Sequence, residues 1–259
     1  TAATGLGSLS ASSGSSLIGF IASGAGAVAT TLQTRGRKTI LASDYGATGD
    51  GATTDTTTLQ AALTAAAGYT LVIPAGTYLT GALTVPANTR VVGEGYNKTI
   101  LKAVSATGSL NLLTLANSNC SIEDLTVNLN NTAVTIAAGY VASRNGIYVY
   151  GLVGAYITNI YLKVQVKNCG EAGIKCQYVD RLTIDRADID RCGQYGIYCL
   201  SVSNVWIESP DIYDIFPGNS GTAPYLNAYG ITFTYSGTDP KPIDCTVSNG
   251  MVDYVTGWE

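Results

Sequence analysis

The sequence predicts an all-β chain: a right-handed single-stranded parallel β-helix with a short N-terminal capping helix and an N-terminal neck. Only 12% of the 259 residues are charged and 30 are glycines, a composition that suits short strands joined by tight turns. The pattern C-G-x-x-G-I-x-C occurs at Cys169–Cys176 and again, 23 residues later, at Cys192–Cys199. A repeat of this length, with alternation inside it, indicates one coil of strands per repeat. Stacked coils can bury an apolar face that a single coil cannot.

The first 43 residues are predicted to be a neck or linker, followed by the β-helix over residues 44–259. Residues 1–36 are mostly Ser, Ala, Gly and Thr, with a few apolar side chains between Leu17 and Ile21. These side chains can pack against a partner chain, and the alternative is a flexible linker. Because the chain opens without Met and closes where another coil should begin, we expect the β-helix to continue beyond residue 259.

One helix is predicted, at Thr57–Ala67. Thr57 and Gln60 have the spacing of a capping box, and Gly68 is a typical helix stop. The preceding Asp44–Gly51 is rich in glycine and predicts tight turns. It lacks the Gly-Lys-Ser/Thr of a phosphate-binding loop. From Leu71 onward, short apolar alternations separated by Gly, Pro and Asn predict strands without a further helix.

The repeat predicts which side chains stack inside the coils. Successive coils lie about 4.8 Å apart, so equivalent residues form continuous columns. The larger spacing between Gly196 and Gly230 indicates an inserted loop at Asp214–Ala228. One inward column is predicted to contain Ile147, Ile174, Ile197 and Ile231, and the next Val149, Cys176, Cys199 and Phe233.

The six cysteines follow the repeat. Cys169 is predicted to stack on Cys192 and Cys176 on Cys199, while Cys120 and Cys245 share a position in a second motif. Buried free cysteine behaves as a small hydrophobic residue. This arrangement argues against a four-cysteine metal site and against a disulfide framework, and no metal site is predicted.

Charge and composition exclude several classes of partner and chemistry. The net charge of −4 argues against nucleic acid or an anionic membrane. The longest apolar run, Leu17 to Ala29, is too short to cross a bilayer. The chain has no histidine, which excludes Ser-His-Asp and Cys-His schemes from this stretch. Acid–base chemistry would have to rest on carboxylates, Lys or Tyr.

Several segments together resemble a known family. Asp44–Gly51, Leu59–Leu63 and Val72–Tyr78 resemble the opening of the pectate-lyase-like β-helix superfamily. Ser15–Phe20 and Gly24–Val28 resemble the neck of bacteriophage tailspikes. The resemblance implies a homotrimer on the virion tail that contacts other tail or baseplate proteins through its N-terminal side. It also implies that the protein binds bacterial capsule or O-antigen polysaccharide and depolymerises it without a cofactor. In this family the catalytic residues usually lie farther along the helix.

Two pairs of carboxylates are the candidate catalytic residues. Asp185 and Glu208 occupy equivalent positions of neighbouring coils, as do Asp188 and Asp211. Retaining glycosidases hold two carboxyl groups about 5–5.5 Å apart, close to one strand spacing. Such a stack of like charges would raise one pKa, which suits a general acid. The alternative is a solvated acidic face paired with nearby arginines.

Outward aromatic residues are the candidate substrate contacts. Alternation points Tyr148, Tyr161, Tyr198 and Trp206 outward, where they can stack on sugar rings or fill a subunit interface. The inserted loop is expected to wall a groove beside the carboxylates. The residues predicted to bind substrate are Trp206, Tyr213, Phe216, Tyr225 and Tyr229.

The sequence leaves three functions open. The first is a tailspike that cleaves surface polysaccharide by hydrolysis or elimination, and the second is a non-catalytic spike that only holds it. The third is a secreted cellular hydrolase of the same fold, which the neck residues disfavour. Elimination acts on acidic sugars and often uses Arg or Lys to neutralise them; Arg181, Arg186 and Arg191 would allow this.

Overall fold

The computed structural model describes residues 18–131, 143–215, 229–235 and 242–252, which form a parallel β-helix. Each complete coil carries three strands, and each strand pairs in parallel with its equivalent on the next coil. We call the three faces of the stack A, B and C, in the order in which the chain visits them from Leu83 onward. The predicted all-β fold is confirmed.

Face A is a separate six-stranded sheet. Its strands are Leu83–Val85, Leu110–Leu115, Arg144–Tyr150, Ala172–Gln177, Tyr195–Leu200 and Tyr229–Thr234.

Faces B and C are joined, because the strands Cys120–Asn128 and Ile157–Cys169 run from one face into the other. The remaining strands of face B are Thr39–Leu41, Thr70–Val72, Arg90–Val92, Val179–Asp185, Ser203–Glu208 and Ile243–Ser248. The remaining strands of face C are Asp50–Thr54, Gly76–Thr80, Thr99–Ala103, Asp188–Cys192, Asp211–Ile215 and Met251–Val252.

The predicted inward columns are confirmed in register. Ile147 pairs with Ile174, Ile174 with Ile197, and Ile197 with Ile231. The first three are fully buried, whereas Ile231 is half-buried, because no described strand of face A lies on its far side. The expectation that all four are buried is therefore wrong for Ile231.

The cysteine columns are also in register. Cys169 lies opposite Cys192, and Cys176 lies opposite Cys199. Cys120 and Cys245 belong to one column of face B, separated by three aliphatic residues. All six are free thiols and all but Cys245 are buried, so they pack as small apolar residues.

The glycine of the Gly-Ile pair makes room between faces A and C. A Cβ at Gly173 would lie 2.6 Å from the Ile189 Cγ2 atom, and a Cβ at Gly196 would lie 2.6 Å from the Ile212 Cγ2 atom. Real Cβ atoms do not approach so closely, so only glycine lets face C pack its aliphatic column against face A. This contact explains why the motif repeats its glycine as well as its isoleucine.

The helix predicted at Thr57–Ala67 is α2, at Thr56–Ala65. The predicted capping box is wrong. Asp55 is the N-cap residue, and its carboxylate accepts hydrogen bonds from the backbone N–H of Thr48 (2.7 Å) and of Gly49. The Gln60 amide instead pairs with both backbone groups of Thr84, at 2.9 and 3.0 Å. The helix thus lies against the first strand of face A.

Two features lie N-terminal to α2. The strands Gly19–Phe20 and Thr30–Thr31 form an antiparallel pair, followed by a five-residue helix, α1, at Leu32–Gly36. Helix is therefore not confined to the predicted segment, and a short 3₁₀ turn spans Ala42–Tyr45. Thr39–Leu41 pairs with Thr70–Val72, so face B begins within the segment assigned to the neck.

Left-handed backbone conformations occur where the strands of face B begin. Asn119, Asn159, Arg181 and Asn204 occupy equivalent positions of successive coils and have φ between 51° and 59°. Asparagine tolerates this conformation better than most residues. The Asn159 amide also donates to the Asn119 side-chain oxygen at 2.8 Å. These positions therefore form an asparagine ladder interrupted by one arginine.

Candidate functional site: two outward surfaces

The structure brings the predicted carboxylate pairs into register. Asp185 lies opposite Glu208 on face B, and Asp188 lies opposite Asp211 on face C. Only Arg186 and Ala187 separate the two strands, so all four carboxylates flank the turn between faces B and C. We call this region the B–C turn cluster.

Asp185 is held in an ion pair. Arg186 donates to both of its carboxylate oxygens at 3.1 Å, and the Tyr161 hydroxyl donates at 2.9 Å. The Arg186 hydrogen bonds hold the pKa of Asp185 below its usual value. A general acid needs a raised pKa, so the expectation of a raised pKa is wrong for Asp185.

Asp188 has neutral partners. The Gln165 amide donates to one carboxylate oxygen at 2.6 Å, and the Tyr213 hydroxyl donates to the other at 3.0 Å. Burial and the nearby Asp188 charge raise the pKa of Tyr213, which keeps this phenol protonated. Two hydrogen bonds from uncharged side chains thus orient Asp188, and no ion pair with an arginine or lysine is formed among the described residues.

Tyr96 is a member of this cluster that the sequence analysis missed. Its hydroxyl donates to the backbone oxygen of Arg186 at 2.8 Å, across 90 residues of sequence. Burial raises its pKa, and the Asp124 and Asp188 charges add to the shift. The turn Gly95–Lys98 shows no pattern that predicts such a long-range contact, because turns are irregular in the repeat.

The predicted substrate-binding residues do not form one site. Trp206 points outward on face B and is 46% exposed, and Tyr213 lies in the B–C turn cluster. Tyr229 lies on face A and stacks on Tyr195. Phe216 and Tyr225 lie outside the described residues.

Face A carries a second surface, built from outward positions of successive strands. Tyr148, Lys175, Tyr198 and Thr232 are in register and form its central column. The Tyr148 hydroxyl donates to Gln177 at 2.6 Å, and burial raises the pKa of Tyr148 to about 12. We call this surface the face A platform.

Aromatic contacts hold the platform together. The Tyr195 ring lies 4.7 Å from the Tyr198 ring and stacks on Tyr229 at 5.6 Å, between ring centroids. Tyr148 stacks on Tyr150 at 5.4 Å. Rings that pack on each other lose little further freedom when a ligand covers them, so the platform is preorganised.

Lys175 is the one charged residue in the central column, and an ion pair with Glu171 balances its charge. Its Nζ atom lies 2.6 Å from Glu171 and 5.7 Å from the centre of the Tyr198 ring. Glu171 is only 7% exposed, and it also accepts the backbone N–H of Ser143 at 2.7 Å. No motif in the sequence pairs these two residues.

A shallow depression of about 290 Å³ lies at the start of the platform. It is lined by Ala82, Ser109, Leu110, Asn111, Thr114 and Ser143. The Asn111 side chain accepts from Asn145, whose amide also donates to Glu171. The depression therefore joins the Lys175–Glu171 pair through a chain of hydrogen bonds.

The three arginines considered for an acidic substrate are each paired with the preceding aspartate. Arg181 binds Asp180, Arg186 binds Asp185 and Arg191 binds Asp190, at 2.8–3.1 Å. They lie on faces B and C, away from the platform.

Within residues 18–131, 143–215, 229–235 and 242–252, no three His, Cys, Asp or Glu side chains are grouped to share a metal ion. None of the helices described there is long and apolar enough to cross a membrane.

Comparison with known proteins places this geometry in context. A model of the family described as rhamnogalacturonase A/epimerase, pectate lyase-like matches residues 40–249. The match covers most of the chain and the coils of all three faces.

Two curated relatives come from Azotobacter vinelandii. Mannuronan C5-epimerase AlgE3 is 34% identical over 125 residues, which is 40% of this chain and 7% of the epimerase. Alginate lyase 7 is 34% identical over 125 residues, which is 40% of this chain and 15% of the lyase. The aligned part thus spans a small fraction of these relatives.

Two solved structures from phages share the fold. ORF18 of Geobacillus virus E2 superimposes with a TM-score of 0.53 at 15% identity, over 85% of this chain and 51% of that protein. Pre-mature gene product 12 of bacteriophage phi29 gives a TM-score of 0.58 at 14% identity, over 82% of this chain and 32% of that protein. At such identities the likeness establishes the fold alone.

Proposed function

Since the chain belongs to the pectate lyase-like family of rhamnogalacturonase A and the epimerases, we propose that it binds and depolymerises a bacterial surface polysaccharide, capsule or O-antigen, as part of a phage tailspike. The observation that carries the proposal is the face A platform. It offers two groups of packed tyrosines on one sheet, Tyr148 with Tyr150 and Tyr198 with Tyr195 and Tyr229, flanked by amide and hydroxyl groups. Such rings stack on the apolar faces of sugars, while the polar groups bind hydroxyls.

The phage half of the proposal rests on two observations. Both solved structures reported above belong to phages, and the neck exposes apolar side chains. Ile21 is 67% and Val28 is 82% exposed in the single chain, which favours packing against other copies. We propose a homotrimer on the virion tail that contacts other tail or baseplate proteins through its N-terminal side. A monomeric mass by light scattering for the full-length protein would contradict this assembly.

We assign cleavage to Asp188 and Asp211 of the B–C turn cluster. They lie opposite each other at about one strand spacing, roughly 4.8 Å, and Asp188 has no arginine partner. Asp185, with Glu208, is the weaker pair because Arg186 holds it ionised. A polysaccharide is long enough to contact face A and the B–C turn cluster of one molecule at different sugars.

The non-catalytic spike is the second candidate, and one observation favours it. The platform and the carboxylate pairs lie on different faces of the stack, so a short glycan bound to one does not reach the other. Binding and cleavage must therefore be measured separately.

The test compares variants of the two surfaces in the full-length protein. Tyr198→Ala should weaken polysaccharide binding by about two- to tenfold, because a stacked ring contributes about 0.5–1.5 kcal/mol beyond its buried area and tenfold in affinity is about 1.4 kcal/mol. Asp188→Asn should keep binding and lower glycan release by roughly 10²–10⁴-fold. Tyr69→Ala, an exposed tyrosine outside both surfaces, is the matched control.

Two results would change the proposal. Loss of binding in Trp206→Ala with normal binding in Tyr198→Ala would show that the glycan binds to face B. Binding without release of any product by the unmodified protein would establish the non-catalytic spike.

A further inference from the structure

We propose that the face A platform accepts an electrically neutral sugar chain, and not the acidic uronate chains that the names of the alginate-related relatives indicate. This inference rests on the proposed function, because it assumes that the platform is where the glycan binds. Four observations about charge carry it.

The first observation is the composition of the outward columns of face A. Beside Tyr148 and Tyr198, they contain threonine, asparagine and glutamine, which are uncharged hydrogen-bonding residues. These are partners for sugar hydroxyls. Among the described residues of the platform, the charged side chains with solvent access are Lys175 and Glu171 alone.

The second observation is that this single cation is already paired. Lys175 is held at 2.6 Å by Glu171, and its side chain is only 18% exposed. Glu171 is in turn fixed by Ser143 and Asn145, so it cannot easily turn away to release the lysine. A uronate carboxylate placed here would meet a neutral pair and would lose hydration without gaining a free cation.

The third observation concerns the turns that border face A. The described turns at 81–82, 86–89, 104–109, 116–119, 151–156, 193–194 and 201–202 contain no charged residue. In sequence, the segments 132–142 and 216–228, which precede two strands of face A, are also free of charged residues, whereas 236–241, which follows the last described strand of face A, contains Asp239 and Lys241. The remaining cation nearby, Arg144, is fully buried and bound to backbone carbonyls.

The fourth observation is where the charges lie instead. Faces B and C and the turn between them carry ion pairs such as Arg90–Glu123, Lys163–Asp124 and Arg186–Asp185. Charged residues thus recur at outward positions of the strands of faces B and C, whereas Lys175 is the one solvent-accessible charge on the described strands of face A. Elimination chemistry requires an acidic sugar, so a neutral chain also favours hydrolysis over elimination for the proposed depolymerase.

The experiment uses the full-length protein and a panel of immobilised capsular and O-antigen polysaccharides, both neutral and acidic. Each acidic polymer is also tested after chemical reduction of its carboxyl groups, which removes the charge and keeps the linkages. Binding is measured at low and at high ionic strength. We expect the bound polymers to be neutral or carboxyl-reduced, with affinities that change by less than about twofold with salt.

A matched variant tests the role of the ion pair. Glu171→Gln keeps an oxygen that can accept the Ser143 N–H but leaves Lys175 without its counter-charge. At low ionic strength this variant should gain affinity for native acidic polymers by about threefold or more, and salt should abolish the gain. A melting curve checks that the variant is folded, and the unmodified protein alone decides the main question.

The outcomes separate this inference from the proposed function. Acidic polymers that bind through Tyr198 and lose about tenfold or more in affinity on carboxyl reduction would overturn the neutral-chain inference and leave the platform intact. A panel in which no polymer binds, or in which Tyr198→Ala changes nothing, would overturn the proposed function itself.

Discussion

On the coil that runs from Ala172 to Cys192, face A has Lys175 and Gln177 at outward positions, whereas faces B and C have Asp180, Asp185 and Asp190, each paired with an arginine. The inward residues of the same strands are all apolar, so the two regions share one kind of core. The difference is confined to the outward positions. It teaches that a β-helix can vary its surface chemistry face by face without altering the columns that hold the coils together.

The largest effect is expected when Arg144, the buried cation at the start of a face A strand, is replaced. Arg144 is fully buried and donates to the backbone oxygens of Ser105, Thr107, Gly108 and Leu129. Arg144→Met should lower the free energy of unfolding by about 4 kcal/mol or more, because four backbone acceptors lose a charged donor at about 1–3 kcal/mol each. Urea unfolding followed by circular dichroism measures the change.

Arg90→Met is the control on face B. Arg90 forms an exposed ion pair with Glu123, and such pairs contribute about 0–1 kcal/mol. Equal losses of unfolding free energy in the two variants would mean that the buried cation of face A and the exposed cation of face B contribute equally to stability. That result would contradict the contrast between the two regions.

The contacts of Arg144 are also an example of what the sequence did not predict. The columns that contain Ile174 and Cys176 were predictable, because residues one repeat apart in sequence take equivalent positions on neighbouring coils of a parallel stack. The carboxylate registers Asp185–Glu208 and Asp188–Asp211 followed for the same reason. The pairing of Asp185 with Arg186 was one of the alternatives, but the contacts of Tyr96 with Arg186 and of Arg144 with Thr107 did not follow, because they involve irregular turns outside the repeat.

The platform was missed for a different reason. Tyr148 and Tyr198 were predicted to point outward, but nothing in their spacing shows that Lys175 between them is neutralised by Glu171. The helix start was misjudged in a similar way. Gln60 has capping-box spacing, yet a long-range partner, Thr84, competes more strongly for its amide.

The second prediction concerns pH. The pKa of Asp180 is held below its usual value by the Asn204 hydrogen bond first, and that of Asp185 by Arg186. A carboxylate with a depressed folded-state pKa stabilises the protein above its unfolded pKa of about 4, and that contribution is lost as pH falls through the folded pKa. Stability should therefore fall by about 1–2 kcal/mol between pH 5 and pH 3, since exposed pairs are worth about 0–1 kcal/mol each.

Urea midpoints at several pH values measure this loss. Asp180→Asn should flatten the acid side of the profile, because it removes one of the carboxyl groups whose pKa is lowered in the folded protein. An acid loss that survives in the combined Asp180→Asn and Asp185→Asn variant would show that these two carboxylates are not its source.

The smallest expected effect comes from completing the asparagine ladder. Arg181 has a φ of 56° at a position where Asn159 and Asn204 occupy the neighbouring coils. Arg181→Asn should raise the free energy of unfolding by about 0.5–1 kcal/mol, because asparagine adopts the left-handed conformation at lower cost and the exposed Arg181–Asp180 pair contributes little. A melting temperature that falls would show instead that the charged surface of face B stabilises the coil stack.

The contact between Gln60 and Thr84 has a consequence for solubility. The first strand of a stacked sheet presents unpaired N–H and C=O groups, and such an edge is a template for another chain's strand. The Gln60 side chain binds both backbone groups of Thr84, and a side-chain amide offers no further strand edge for another chain to pair with. A protein built from stacked coils is at risk of growing end to end into fibres, and helix α2, through this amide, covers the edge at the start of face A.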